Sequence, residues 1–201
     1  MGKKITAKSR SVKALAHEVE PEQKAPVIKA VLFELECMGF NGREALYDVL
    51  KKVFSEREIE LTPAMFSKYC VCVQAKRFVP RILKASGKKR FSEEKTVSDI
   101  LDELKNHFGN ESLRPNAWIG KIVRVASQNG YIVGALSTMD QVTAVSLASK
   151  AGVENPEKNI FSFSWEERCC PSADSWIHLA RHIGVRTVHC AALCTSSNSS
   201  K

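Results

Sequence analysis

The sequence has no long run of apolar residues and no targeting segment at its start. None of its apolar runs approaches the roughly 18 residues that a membrane-spanning helix needs, and the N-terminal residues contain no hydrophobic signal core. Gly2 is present, but the residues after it do not fit a myristoylation signal. These absences predict a cytoplasmic protein that does not enter the membrane. In that reducing compartment the seven cysteines are expected to be thiols rather than disulfides.

Several short motifs that indicate a known type of binding site are also missing. There is no glycine-rich phosphate loop, no dinucleotide fingerprint and no Cys-x-x-Cys pair of the kind that builds structural zinc sites. The apolar content of 44% and the charged content of 26% are those of an ordinary globular protein. A chain of 201 residues is long enough for one domain, or for one domain that carries a small insertion.

The net charge of +8 raises the question of a nucleic-acid partner. Part of this charge lies near the start of the chain, which contains no acid among the basic residues Lys3, Lys4, Lys8, Arg10 and Lys13. A short basic arm can bind polyanions weakly, but such arms are common and unspecific. Residues 1–26, which are polar and end at Pro26, are therefore predicted to be a flexible, solvated arm, and a nucleic-acid partner is not expected.

The order of the predicted elements indicates an α/β protein. Apolar runs of strand length are separated by segments whose apolar residues have helical spacing. The predicted strands are 27–33, 131–136, 159–163 and 187–193, and the predicted helices are 43–57, 75–86, 96–108, 116–129, 139–151 and 172–183, with another helix start at Thr62 and Pro63. Alternating strands and helices predict a doubly wound parallel sheet. The helices between the first two strands then form an insertion.

Two glutamates follow the first predicted strand. Glu34 and Glu36 end the run Lys29-Ala-Val-Leu-Phe-Glu-Leu-Glu. In open α/β sheets, ligands bind at the carboxyl ends of the strands. Alternation along a strand would send both carboxylates to the same side, so these two residues are the first candidates for a functional site.

This run resembles the first motif of the haloacid dehalogenase-like (HAD) phosphohydrolases, in which the strand ends in Asp-x-Asp. The similarity is to the branch of phosphatases and phosphoglucomutases that have a helical cap. It implies a Rossmannoid core made of residues 27–41 and 116–201, with residues 42–115 as the inserted cap. Because the chain stops at Lys201, the resemblance also implies a sheet without its last edge strand.

In this family the first acid is the nucleophile, and the second is a general acid and base whose backbone carbonyl helps to hold magnesium. The resemblance places Glu34 and Glu36 at these positions, with side chains one methylene longer than Asp. Since phosphoryl transfer depends on precise positioning, a loss of orders of magnitude in rate is expected. Ser137 matches the family's next motif, a hydroxyl that binds the phosphoryl group, although by itself it could equally cap the following helix.

Two further positions depart from the family's pattern. The family's lysine, which offsets the charge of the phosphate, aligns with Cys170, and Arg168 nearby does not reproduce the geometry of a lysine. The acidic pair expected after the last strand is missing, because Cys194 and the residues after it have no carboxylate. Magnesium prefers carboxylate oxygens, so Glu34 and Glu36 are expected to form at best a weak magnesium site, and no cofactor is predicted.

Together these substitutions predict a degenerate HAD-like phosphohydrolase that is catalytically inactive. Its expected role is to bind a phosphorylated small molecule or a protein partner. The alternative is a slow magnesium-dependent phosphomonoester hydrolase that uses Glu34. A nucleic-acid-associated role rests on the basic arm alone and is the least favoured.

Cysteine chemistry offers two weaker alternatives. The alignment brings Cys37, Cys170 and Cys194 near the two glutamates, and thiolates with a carboxylate can bind zinc, but free cysteines are more often small buried hydrophobic residues. Cys190 could also act as a nucleophile with His182 or His189. Its neighbour His189 would point to the opposite face of a strand.

The last predicted strand, 187–193, is expected to be an exposed edge of the sheet. It contains no lysine or proline that would block pairing with another chain. The sequence therefore predicts that the protein either forms a homodimer through this strand or is unstable as a monomer.

Overall fold

A parallel β-sheet organises the computed structural model, which describes residues 27–163 and 172–194. Its strands are β1 (Ala30–Glu34), β2 (Ile132–Ser137), β3 (Ile160–Ser162) and β4 (Cys190–Leu193). All pairings are parallel, and the order is β3-β2-β1-β4. The register aligns Glu34 with Leu136 and Phe33 with Leu193. The carboxyl ends of β1, β2 and β4 therefore meet at one end of the sheet, and the predicted α/β class with a parallel sheet is confirmed.

Helices fill the connections between these strands. They are α1 (Leu35–Gly39), α2 (Gly42–Ser55), α3 (Pro63–Met65) followed by a π turn (Phe66–Cys70), α4 (Ala75–Ala85), α5 (Glu93–Gly109), α6 (Ala117–Gln128), α7 (Gln141–Ala151), α8 (Pro156–Asn159) and α9 (Ala173–His182). Helices α1 to α6 all lie between β1 and β2 in the chain. In the described part of the chain, no helix has the length and apolarity needed to cross a membrane.

The two faces of the sheet bury different sets of residues. Phe33 and Val133 pack with α6, α7 and the helices of the long insertion in one large apolar cluster. Leu32 and Leu136 face the other way and pack against Trp176 of α9 in a second, smaller cluster. This alternation is that of a sheet covered by helices on both faces.

Local capping signals correctly located several helix ends. The Thr62 side chain accepts a hydrogen bond from Met65 N–H at 3.2 Å, with Pro63 in the first helical position. At the end of α7, Gly152 adopts a left-handed conformation with φ of 85°, which glycine tolerates better than other residues. In both places the signal and the structure it specifies are adjacent in the chain.

Two local predictions were wrong. Glu36 does not continue the strand but lies in the short helix α1, so strand alternation does not relate it to Glu34. Residues 187–189 form a 3-10 turn rather than strand, in which Cys190 N–H donates to Thr187 O, and pairing with β1 begins at Cys190.

The remaining predictions about organisation have different outcomes. Cys72 is disulfide-bonded, so the expectation of seven thiols is wrong at this residue. Disulfides are rare in the cytosol, and the cytoplasmic location stays a prediction. The arm 1–26 and Cys170 lie outside the described residues. The domain boundaries at 42 and 115 and the homodimer through β4 also stay predictions.

Candidate functional site

The two glutamates occupy successive elements at the carboxyl end of β1. Glu34 is the last residue of the strand and is 4% exposed, while Glu36 lies in the first turn of α1 and is 6% exposed. Carboxylates are rarely buried to this extent without polar partners. Their surroundings therefore determine what this end of the sheet can do.

Groups at the carboxyl end of β2 hold the carboxylate of Glu36. Ser137 Oγ donates a hydrogen bond to Glu36 Oε1, and Thr138 N–H lies 3.3 Å from each of the two carboxylate oxygens. Ser137 is 101 residues further along the chain and fully buried. A hydroxyl and a backbone amide thus form a small anion-binding site, which the protein's own carboxylate occupies.

A second amide fixes the direction of the Ser137 hydroxyl. Met139 N–H donates to Ser137 Oγ at 3.0 Å. Because an amide can only donate, the hydroxyl accepts on this side and turns its proton toward Glu36. The alternative role of Ser137 as the cap of the next helix is wrong, since Asp140 caps α7 by accepting from Thr143 N–H at 3.1 Å.

Close backbone packing positions α1 and therefore Glu36. A Cβ atom on Gly42 would lie 2.8 Å from the carbonyl carbon of Glu36, so the start of α2 can approach α1 only with glycine at this position. From the other side, Asn116 Nδ2 donates to Met38 O at 2.9 Å, and Asn116 N–H donates to Gly39 O at 2.7 Å. The residue before α6 thus ties the end of α1 in place.

The donor set at this end of the sheet does not fit magnesium well. Both oxygens of the Glu36 carboxylate already accept hydrogen bonds, and β4 is followed by Cys194, a soft ligand. Within residues 27–163 and 172–194, no three His, Cys, Asp or Glu side chains are grouped closely enough to hold a metal ion. The candidate cysteines Cys37 and Cys194 are both half-buried, and Cys194 packs in the apolar cluster beneath α9.

The pair of Cys190 with His189 is not assembled either. His189 Nδ1 donates to Val27 O at 2.8 Å rather than to Cys190. The Cys190 thiol donates to Arg186 O at 3.5 Å, and burial raises the pKa of this thiol. A raised pKa reduces the fraction of thiolate, which is the nucleophilic form.

Burial raises the pKa of Glu36 above its ordinary value of 4.5, and the hydrogen bonds from Ser137, Thr138 and Met139 oppose this shift only in part. A carboxyl group with a raised pKa in the folded state stabilises the fold below its unfolded pKa, and this contribution is lost as the pH rises. We therefore expect the unfolding free energy of the wild type, minus that of Glu36→Gln, to decrease as the pH rises above 4.5. Urea denaturation across this range measures it. A difference that does not change with pH would contradict the shift.

Sequence reasoning identified Glu34, Glu36 and Ser137 but missed the groups that connect them. The amides of Thr138 and Met139 carry no side-chain signal, so no pattern could identify them. Gly42 and Asn116 leave a weak signal, a glycine and an asparagine next to helix starts. That signal does not reveal which backbone they approach.

Comparisons of sequence find no relative: neither a protein-family model nor a curated protein matches the chain. Solved structures do match. β-Phosphoglucomutase from Clostridium difficile has a TM-score of 0.63 at 15% identity, covering 86% of this chain and 78% of that one. A HAD hydrolase of family IA, variant 3, from Entamoeba histolytica has a TM-score of 0.67 at 13% identity, covering 85% and 77%. CbbY from Rhodobacter sphaeroides, in complex with phosphate, has 0.63 at 14%, covering 86% and 80%.

At these identities the likeness is one of fold. It agrees with the parallel sheet and with the helices placed between β1 and β2. It also confirms the resemblance that the first motif suggested. The chain has the fold of the haloacid dehalogenase-like phosphatases.

Proposed function

We propose that this protein is a degenerate HAD-like phosphohydrolase that has lost catalysis and acts as a binding module for a ligand or a protein. The observation that carries the proposal is the position of Glu36. Its carboxylate accepts hydrogen bonds from Ser137 and Thr138, the hydroxyl and amide that a phosphoryl group would need in this fold.

Competition at these donors argues against turnover. A phosphoryl oxygen and a carboxylate oxygen accept the same hydrogen bonds, so a substrate would have to displace Glu36. The carboxylate is already in place and is covalently attached at a short distance, which gives it a high effective concentration. Bringing a phosphate dianion next to Glu34 and Glu36 would add like charges in a buried site.

The remaining substitutions act in the same direction. Glutamate replaces aspartate at the nucleophile position, cysteine replaces the lysine at position 170, and no carboxylate follows β4. Each change removes a different contribution to phosphoryl transfer: geometry, countercharge and a metal ligand. The competing proposal, a slow hydrolase that uses Glu34, needs all three to be compensated.

A phosphatase assay with p-nitrophenyl phosphate and magnesium tests the proposal. We expect turnover far below about 1 s⁻¹, the low end of typical enzyme rates, because the anion-binding donors are occupied. The control is Glu34→Gln, which should not change the residual rate. Turnover above about 1 s⁻¹ that Glu34→Gln abolishes would establish the slow hydrolase instead.

A restored variant makes the result more informative. Glu34→Asp, Glu36→Asp, Cys170→Lys and Thr195→Asp introduced together should recover some activity. Each single substitution should not, since residues that act as a unit are strongly non-additive.

A further inference from the structure

In the part of the chain that the structure describes, helix α6 carries an exposed apolar stripe. Trp118, Ile122 and Val125 are 44%, 36% and 57% exposed. Spacings of four and three residues place them on one face of the helix, over two turns. Exposed apolar residues are ordinary when they are scattered, but a contiguous group with a tryptophan indicates an interaction surface.

The stripe lies on the flank of α6 that faces away from α7. On the opposite flank, Val123 approaches the end of α7, where a Cβ atom on Gly152 would be 3.8 Å from Val123 Cγ1. We call these three exposed residues, Trp118, Ile122 and Val125, the α6 ledge.

The helix that carries the ledge is basic. Residues 117–133 contain no aspartate or glutamate. Lys121 and Arg124 on α6 are exposed, and within the described parts of the chain neither forms an ion pair. An apolar strip beside unpaired positive charge is complementary to an apolar strip beside negative charge.

We propose that the α6 ledge binds an amphipathic helix of a partner protein whose flanks carry Asp and Glu. A stripe two turns long matches the apolar face of an amphipathic helix, with the exposed Trp118 as its main anchor. A flat anionic membrane fits less well, because the outermost positions of α6 are the polar residues Lys121 and Gln128. This inference rests on the proposed role as a binding module and specifies its surface and partner.

The probe is a synthetic amphipathic peptide of about 15 residues, roughly four helical turns, with leucine on one face and glutamate on its flanks. Its counterpart has lysine in place of every glutamate. Fluorescence anisotropy of the labelled peptides with the full chain gives both dissociation constants. We expect the acidic peptide to bind at least about tenfold more tightly than the basic one. Weaker binding in high salt should accompany this difference.

Variants locate the binding. Val125→Asn and Trp118→Ser should each raise the dissociation constant of the acidic peptide by about tenfold or more, a hot-spot effect. Val142→Asn is the matched control, since Val142 is 80% exposed on α7, and it should have no effect. Lys121→Glu combined with Arg124→Glu should reverse the preference, so that the basic peptide binds better. Circular dichroism checks that each variant is folded.

Other results would overturn the inference. Equal binding of the two peptides, or binding of neither, would exclude charge-directed recognition of a helix. Binding only to phosphatidylserine vesicles would assign the surface to a membrane. Dimerisation that Val125→Asn abolishes would assign it to a second copy of the chain. None of these outcomes affects the phosphatase assay, so failure here is distinguishable from failure of the proposed loss of catalysis.

Discussion

Glu36→Ala is expected to convert a protein that does not bind inorganic phosphate into one that does. The substitution removes the carboxylate but leaves its donors, Ser137 Oγ and the Thr138 amide, without an acceptor. Buried donors without acceptors cost about 1–3 kcal/mol, and a phosphate oxygen can relieve this cost. The wild type should show no such binding because its own carboxylate occupies the donors.

Thermal unfolding with and without phosphate measures the effect. At a phosphate concentration about ten times the dissociation constant, binding should stabilise Glu36→Ala by about 1.4 kcal/mol. For a protein of this size that corresponds to a rise of about 3–6 °C in Tm. The wild type, compared with chloride at the same ionic strength, should change by less than about 1 °C.

Two controls distinguish phosphate binding at the donors that Glu36→Ala exposes from a general effect of salt on stability. Glu36→Gln keeps a side chain of the same length whose amide oxygen can still accept from Ser137 and Thr138, so it should remain insensitive to phosphate. Glu36→Ala combined with Ser137→Ala removes a donor and should lose most of the gain. Phosphate stabilisation of the wild type equal to that of Glu36→Ala would show that Glu36 does not block the site.

The parts of this fold that were predictable have local causes. Helix α7 was correctly ended at Gly152 because the left-handed residue that stops it is adjacent in the chain. The first strand was predicted at 27–33 and lies at Ala30–Glu34, so its existence and its carboxyl end were found to within one residue, because an apolar run of strand length ends there. Helix α1 was missed, since five residues are too few to show a helical period.

The site was predictable only in its list of residues. Glu34, Glu36 and Ser137 follow strands whose carboxyl ends meet in a parallel sheet. The contact between Glu36 and Ser137 was not predictable, because it depends on α1 turning Glu36 back toward β2. The position of α1 depends on the close approach of Gly42 and on Asn116, whose N–H donates to Gly39 O. Asn116 lies 77 residues after Gly39 (116 − 39) in the chain.

Arg57 is a further residue that local patterns did not identify. It lies just after α2 and is 6% exposed, which is rare for an arginine. Its Nε donates to Thr96 Oγ1 at 2.9 Å, its Nη1 donates to Val53 O at 2.7 Å, and its Nη2 donates to Asp99. One side chain thereby joins the end of α2 to α5.

Arg57→Met is expected to lower the unfolding free energy by about 3 kcal/mol. Methionine preserves much of the apolar stem but removes the Arg57 donor from the Thr96 hydroxyl and from Asp99, which keeps only Lys95 Nζ at 3.3 Å. Asp99 is 29% exposed, so water can reach it, and the loss should lie near the lower end of the range for broken buried pairs. Urea denaturation at neutral pH measures the change.

Lys52→Met is the matched control, because Lys52 joins the same two helices through Glu103 at 2.7 Å, with side chains that are 56% and 32% exposed. An exposed pair of this kind contributes little to stability, so its removal should cost much less than Arg57→Met. Equal costs would mean that burial adds nothing to the Arg57 contacts.

Acid provides an independent test of the Arg57 contacts. Burial raises the pKa of Asp99, but the hydrogen bonds from Arg57 and Lys95 outweigh it and hold the pKa below the ordinary value of 3.8. A carboxylate with a lowered pKa stabilises the fold above its unfolded pKa, and this contribution is lost as the pH falls through the folded value. The difference between wild type and Arg57→Met should therefore be constant near neutral pH and shrink below pH 3.8. A difference that persists unchanged in acid would assign the cost of Arg57→Met to Thr96 and Val53 rather than to Asp99.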